Sequence, residues 1–288
     1  LDDYRANLRT IIQKCRSVGA EVVLATPNNV VDTPSRPTDK LIQYCDVVRD
    51  VGIELDVPVC DAYRQLSAVR ANAEFDWRLL MSDSIHPNMA GHKSMAEQLA
   101  RTITGLEMSL ANVPPLQPAL QQTHARIRDK KSVRVLAMAP YDSMIESALR
   151  SRSGDIQVEI TTWSVEGLSL AQIEQDAKTR VRALKPDLVL IAVPRTATAE
   201  TDQAFASSFA WTMNWSLNFG PPTWDCVVVH PSVAEPAGES QPRDELIRQL
   251  VEAQDLSLID RAPGNSETGE SIIAEWFARQ LAVAASRK

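Results

Sequence analysis

The sequence predicts an α/β protein with a three-layer, doubly wound parallel sheet. Three observations carry the prediction. Short, largely apolar runs such as residues 21–27, 133–138 and 187–193 read as strands, and the unbroken apolar stretch within 21–27 suits a strand covered on both faces. They alternate along the chain with stretches of helical apolar periodicity. The alternation then restarts after a proline-rich break, so two domains are expected.

The first domain, residues 1–107, opens with a helix whose stripe is Tyr4, Leu8, Ile11, Ile12, Cys15 and Val18, capped by Asp2-Asp3 and ended by Gly19. Residues 21–27 form a strand stopping at Pro27, and 28–38 form a loop. A helix over 40–52 and a strand over 56–62 follow. A long segment then leads to a loop at Asp83 and a helix over 92–103. Residues 108–131, with Pro114, Pro115 and Pro118, read as a linker carrying a short helix within 117–128. In the second domain, residues 132–288, strands are expected at 133–138, 158–162, 187–193, 225–230 and 256–260. Helices are expected at 143–150, 170–184, 204–217, 244–253 and 270–282.

The two halves rhyme. Helix, strand ending Thr26-Pro27, helix, and strand ending at Asp61 are matched by helix, strand ending His230-Pro231, helix, and strand ending at Asp260. A diverged tandem duplication is expected, with the first copy beginning after its three amino-terminal strands and the second complete.

The 288 residues are 44% hydrophobic and 23% charged, with a formal net charge of −7. That balance opposes nucleic acid as a partner, for which a basic patch is expected. No apolar run nears the ~18 residues of a membrane span. The chain opens on Leu1 with no signal segment, so missing upstream sequence is expected and the compartment is not readable. Cys15, Cys45, Cys60 and Cys226 form no C-x-x-C pair, and no histidine stands at zinc-ligand spacing. They read as buried thiols, and no metal or cofactor is implied.

The strongest chemical signal is Asp83-x-x-His86-Pro87-Asn88-x-x-Gly91-His92, just before a helix. Three residues apart in a tight loop, a carboxylate can reach imidazole Nδ1. It fixes the tautomer and leaves Nε2 to take a proton from a nucleophile. Pro87 stiffens the loop, Asn88 can cap the helix, and Gly91 allows close approach to the sheet.

This block resembles the last sequence block of the SGNH (GDSL-type) serine hydrolases. The path Tyr4–Pro27 and the strand Val57–Ala62 are similar to that family as well, so the resemblance covers residues 1–105. It implies a flavodoxin-like SGNH fold and a Ser-His-Asp mechanism on an acyl ester, such as an O-acetyl group on a carbohydrate. Asp83 and His86 would be its catalytic residues. The family's serine sits in a Gly-Asp-Ser block, and its oxyanion donors include a later glycine and a Gly-x-Asn-Asp block. For the first copy these would lie upstream of Leu1, and the chain alone is expected to lack hydrolase activity.

In the second copy Tyr141-Asp142-Ser143 stands where the family has Gly-Asp-Ser, and Gly167 where an oxyanion glycine belongs. The Gly-x-Asn-Asp is absent, and no histidine follows Asp260. A serine without a base is a weak nucleophile. Ser143 therefore reads as a vestige serving as a helix N-cap, and the domain as non-catalytic. His230 reads as a packed strand-end histidine, and Arg126–Lys131 and His124 as solvated linker residues. Trp211, Trp215 and Trp224 read as packing residues, a sugar-stacking platform being the alternative. The competing reading of the whole is a non-catalytic binding or scaffold protein built from degenerate copies. The oligomeric state is not legible.

Overall fold

The computed structural model describes residues 1–115, 117–153, 156–218, 220–234 and 241–286. The chain divides into two compact units, Leu1–Val113 and Pro114–Lys288.

The first unit runs α1 (Asp2–Ser17), β1 (Leu24–Ala25), α2 (Thr38–Glu54), β2 (Val59–Cys60), α3 (Ala62–Asn72), α4 (Glu74–Arg78) and α5 (Met89–Thr104). β1 and β2 pair in parallel, Leu24 opposite Val59 and Ala25 opposite Cys60. Each has one strand neighbour, so the ladder is shorter than the apolar runs that announced it. Ile12 of α1 packs with Val47 and Val51 of α2 and with Val57, the apolar faces meeting beneath the strands. A second cluster joins Leu66, Trp77 and Met81.

Three details differ from expectation. Asp2 and Asp3 lie inside the first turn of α1, where their charge complements the positive end of the helix dipole, and Leu1 is the cap position. The segment after Asp61 is helical: Asp61 caps α3 by accepting the Arg64 N–H at 3.2 Å. Only Ala62 and Leu66 of α3 are buried, which leaves little apolar stripe to read. Gly91 approaches not the sheet but the Leu80 carbonyl and the Pro87 ring at the end of the α4 turn.

The second unit runs α6 (Gln121–Arg128), β3 (Val133–Met138), α7 (Asp142–Ser153), β4 (Val158–Trp163), α8 (Leu170–Leu184), β5 (Leu188–Ile191), α9 (Asp202–Ser216), β6 (Asp225–Val229), a 3₁₀ turn (Pro231–Val233), α10 (Asp244–Ala253), β7 (Ser257–Ile259) and α11 (Gly269–Ser286). The strands form one sheet in the order β4-β3-β5-β6-β7, every pairing parallel. Numbered within the unit this is 2-1-3-4-5, the flavodoxin-like order. β5 and β6 are buried at every position, as strands covered on both faces must be. α7 packs with α11, and α8 with α9.

Part of the segment read as linker is built into this unit. α6 has no side-chain cap of its own. Asp225 of β6 supplies one, accepting the N–H groups of Gln122 (3.1 Å) and Thr123 (2.6 Å) and the Thr123 hydroxyl (2.7 Å). Burial pushes the Asp225 carboxyl up to about 6 despite those donors. Arg126 is not a solvated linker end: it donates to the Ser132 carbonyl at 2.6 Å and pairs with Asp187 at 3.1 Å. His124 is half-buried.

The rhyme seen in the sequence has a geometric counterpart. Thr26, just past β1, donates its N–H to the Cys60 carbonyl, and His230, just past β6, donates to the Ile259 carbonyl. The next residue in each case is the aspartate, Asp61 or Asp260. Arg49 Nε reaches Asp61 at 2.8 Å and Arg248 Nε reaches Asp260 at 2.6 Å, each arginine twelve residues upstream on the preceding helix. A hydroxyl from the loop after the penultimate strand completes each clamp: Thr26 Oγ1 to Asp61 at 3.1 Å, Ser232 Oγ to Asp260 at 2.8 Å.

Gly91 tests the packing of α5. A Cβ there would strike the Leu80 carbonyl and lie 2.9 Å from Pro87 Cβ. Gly91→Ala should destabilise the first unit by about 1–3 kcal/mol. The denaturation midpoint of the Trp77 indole resonance measures this, and an unchanged midpoint would show that the contact is freely relieved.

Candidate active site

Residues 81–87 fold back on themselves. Ser82 N–H donates to the His86 carbonyl at 2.8 Å, Asn88 N–H to the Leu80 carbonyl at 3.0 Å, and Met81 bridges to Pro87. Asn88 caps α5, its Oδ1 accepting the Gly91 N–H at 3.0 Å while its Nδ2 donates to the Leu79 carbonyl at 2.7 Å.

Within that turn the two oxygens of Asp83 divide their work. Oδ1 accepts the backbone N–H of Ile85 and of His86, each at 2.7 Å. Oδ2 lies 2.7 Å from His86 Nδ1. Burial alone would raise the Asp83 carboxyl, but the imidazole and the two amides outweigh it and hold the group below the usual carboxylate range. The carboxylate is largely sheltered, with an 11% exposed side chain, whereas the imidazole is 69% exposed. An anion on Nδ1 selects the tautomer protonated there, so Nε2 is left as the accepting nitrogen. Among the described residues no group is hydrogen-bonded to Nε2.

The loop after β1, which composition alone marked only as a loop, reaches this turn. Val31 N–H donates to the Ser84 carbonyl at 2.8 Å, and Asn28 Nδ2 to the Ile85 carbonyl at 2.9 Å. No local signal could show this, since Asn28 and Ile85 are 57 residues apart.

At the equivalent edge of the second unit the candidate residues bond within the unit. Ser143 lies in the first turn of α7, and its hydroxyl donates to the Pro140 carbonyl at 3.0 Å. It is not the expected N-cap. Gly167 has φ +73° in the turn between β4 and α8, a conformation glycine adopts without steric cost. His92 is exposed at the start of α5. His230 is fully buried. Its Nε2 lies 3.1 Å from the Asp244 carbonyl, which can only accept, so Nε2 carries the proton and Nδ1 accepts the Ser232 N–H at 3.2 Å. Both ring nitrogens are thus committed to structure.

Two arginines missed in the sequence complete that edge. Arg195, after β5, makes a two-pronged pair with the buried Asp244 at 3.1 and 2.7 Å. Arg261, itself buried, donates to the carbonyls of Ser232, Val233, Asn265 and Glu267. It closes the nine-residue path from Asp260 to Gly269, where the first unit takes thirty residues from Asp61 to Gly91. The tryptophans pack: Trp224 is buried with Nε1 on the Ser216 carbonyl, and Trp211 stacks on Trp215 at 5.3 Å between centroids, both half-buried.

A carboxylate thus orients an exposed imidazole in the loop before the last helix of the first unit, an arrangement suited to general acid/base chemistry. Residues 1–94 match the model of the GDSL-like lipase/acylhydrolase family. No curated protein matches the chain. Among solved structures, it is similar to an acetylxylan esterase from Geobacillus stearothermophilus (14% identity, TM-score 0.39, covering 52% of this chain and 94% of that one). It is also similar to a two-domain esterase active on acetylated mannans (10% identity, TM-score 0.41, covering 58% and 55%). No helix among the described residues is long and apolar enough to cross a membrane.

Burial drives His230 below its ordinary value, more than Asp260 and the Asp244 carbonyl raise it. The unfolded chain therefore takes up a proton here before the folded one does. The stability due to neutral His230 is complete above about pH 6.5 and is lost as pH falls through that value toward the folded midpoint. An NMR titration of the His230 ring protons should give a midpoint below 6.5. A midpoint at or above 6.5 would mean that the buried ring is charged in the native state.

Proposed function

We propose that the first unit supplies the base and orienting acid of a serine ester hydrolase, and that the second unit performs no chemistry. The observation that carries this reading is the 2.7 Å contact of Asp83 Oδ2 with His86 Nδ1, with Nε2 left open.

In the proposed reaction a serine hydroxyl, not among the groups bonded to His86 here, gives its proton to Nε2 as its oxygen attacks the acyl carbon. Asp83 stabilises the resulting imidazolium without taking the proton itself. Collapse of the tetrahedral adduct breaks the ester bond, and Nε2–H protonates the departing alkoxide. Water then repeats the sequence on the acyl-enzyme, delivering the carboxylic acid and returning the serine. The proposed substrate is a small acyl ester, an O-acetyl group on a carbohydrate being the favoured case.

For the second unit, the supporting observations are the buried, doubly committed His230 and the loop closed by Arg261, which carries no histidine. Ser143 then has no base to activate it.

The test is hydrolysis of an activated acetyl ester by the protein. His86→Ala and Asp83→Asn should each lower kcat on the order of 10³-fold or more. Ser143→Ala should leave it unchanged. Turnover that survives His86→Ala, or that Ser143→Ala removes, would overturn the assignment.

A further inference from the structure

We infer that Asn28 is the positioning residue of the Asp83–His86 pair, through two of the three peptide groups that separate them. The inference rests on reading that pair as acid and base.

The turn from Asp83 to His86 contains the Ser84–Ile85 and Ile85–His86 peptides. Both are held at opposite ends. In the first, the Ile85 N–H donates to Asp83 Oδ1 and the Ser84 carbonyl accepts the Val31 N–H. In the second, the His86 N–H donates to the same Asp83 oxygen and the Ile85 carbonyl accepts Asn28 Nδ2. Since each peptide is planar, fixing its oxygen fixes the direction of its N–H. The loop after β1 therefore aims both N–H groups at Oδ1. With Oδ1 occupied, Oδ2 is the oxygen presented to the imidazole.

The side chain at position 28 must supply two donors from one atom. Nδ2 donates to the Ile85 carbonyl and to the Asn29 carbonyl, each at 2.9 Å. Both partners can only accept, which fixes the amide orientation. An aspartate of the same shape has no donor, and an alanine leaves the Ile85 carbonyl without that partner. Asn28 is in turn anchored to the interior. Asn29 Oδ1 accepts the indole N–H of the fully buried Trp77 at 2.7 Å, and Arg70 donates to the Val30 carbonyl at 3.1 Å. A continuous path thus runs from the Trp77 core to the carboxylate that orients His86.

The experiment is an NMR titration of the Asp83 carboxyl, with amide exchange at Ile85 and His86, in the 288-residue chain. In Asn28→Ala and in the isosteric Asn28→Asp, the Asp83 midpoint should rise by about half a pH unit or more, toward the ordinary value near 3.9. The two amides should exchange at least about tenfold faster. Ile12→Ala, which weakens the other core cluster of the unit, should leave both readouts at parental values. An unmoved Asp83 midpoint in both Asn28 variants, or an equal movement in Ile12→Ala, would overturn the inference whatever the activity. A moved midpoint beside ester hydrolysis that does not depend on His86 would uphold the positioning and overturn the function.

Discussion

Each unit is organised around the carboxylate at the end of its last strand. Asp61 and Asp260 each gather an arginine from the preceding helix and a hydroxyl from the loop after the neighbouring strand. Both carboxyls are pulled down: burial acts to raise them, and the arginine with its companion donors outweighs it. A charged group half inside a protein is tolerable only when its acceptor sites are filled by donors of this kind. The clamp ties helix, strand and following loop into one piece, so whatever comes after the aspartate departs from a fixed point.

What departs differs between the two. In the first unit the chain makes α3 and α4, buries Trp77, and returns through the Asp83–His86 turn. Asp61 itself begins this route by capping α3. In the second, Arg261 follows the clamped aspartate at once and binds four carbonyls, so the path closes in a single short loop. One arginine there satisfies backbone groups that the first unit satisfies with two helices and a polar turn. The price is chemical: an imidazole on a return loop has no place in the shorter path. Of the second unit's two histidines, His124 lies on α6 and His230 sits at the position of Thr26, inside the clamp.

The first unit keeps its reactive group exposed while burying everything that orients it. His86 projects into solvent, yet Asp83, Asn88 and Trp77 are sheltered to increasing degrees behind it. That gradient suits an acid/base residue. Its proton must exchange with a substrate, whereas its direction must be set by groups that water does not compete for.

The sequence by itself determined the α/β alternation, because β strands covered on both faces and one-sided helices leave different apolar periods. It also determined the Asp83–His86 pair, whose members lie within one turn and whose spacing alone permits the contact. The rhyme of Thr26-Pro27…Asp61 with His230-Pro231…Asp260 was likewise legible as residue order. Only the tertiary structure decided what surrounds those residues. Asn28 meets Ile85 across 57 positions, Asp225 caps α6 across 102 and 103, and Arg195 meets Asp244 across 49. α3 and α4 were hidden because so few of their residues face the core, and Arg261 because a backbone carbonyl has no signature in sequence. Periodicity records which face of an element is dry. It does not record which distant polar group supplies the missing hydrogen bond, and in this protein those bonds hold the Asp83–His86 turn in one unit and commit His230 in the other.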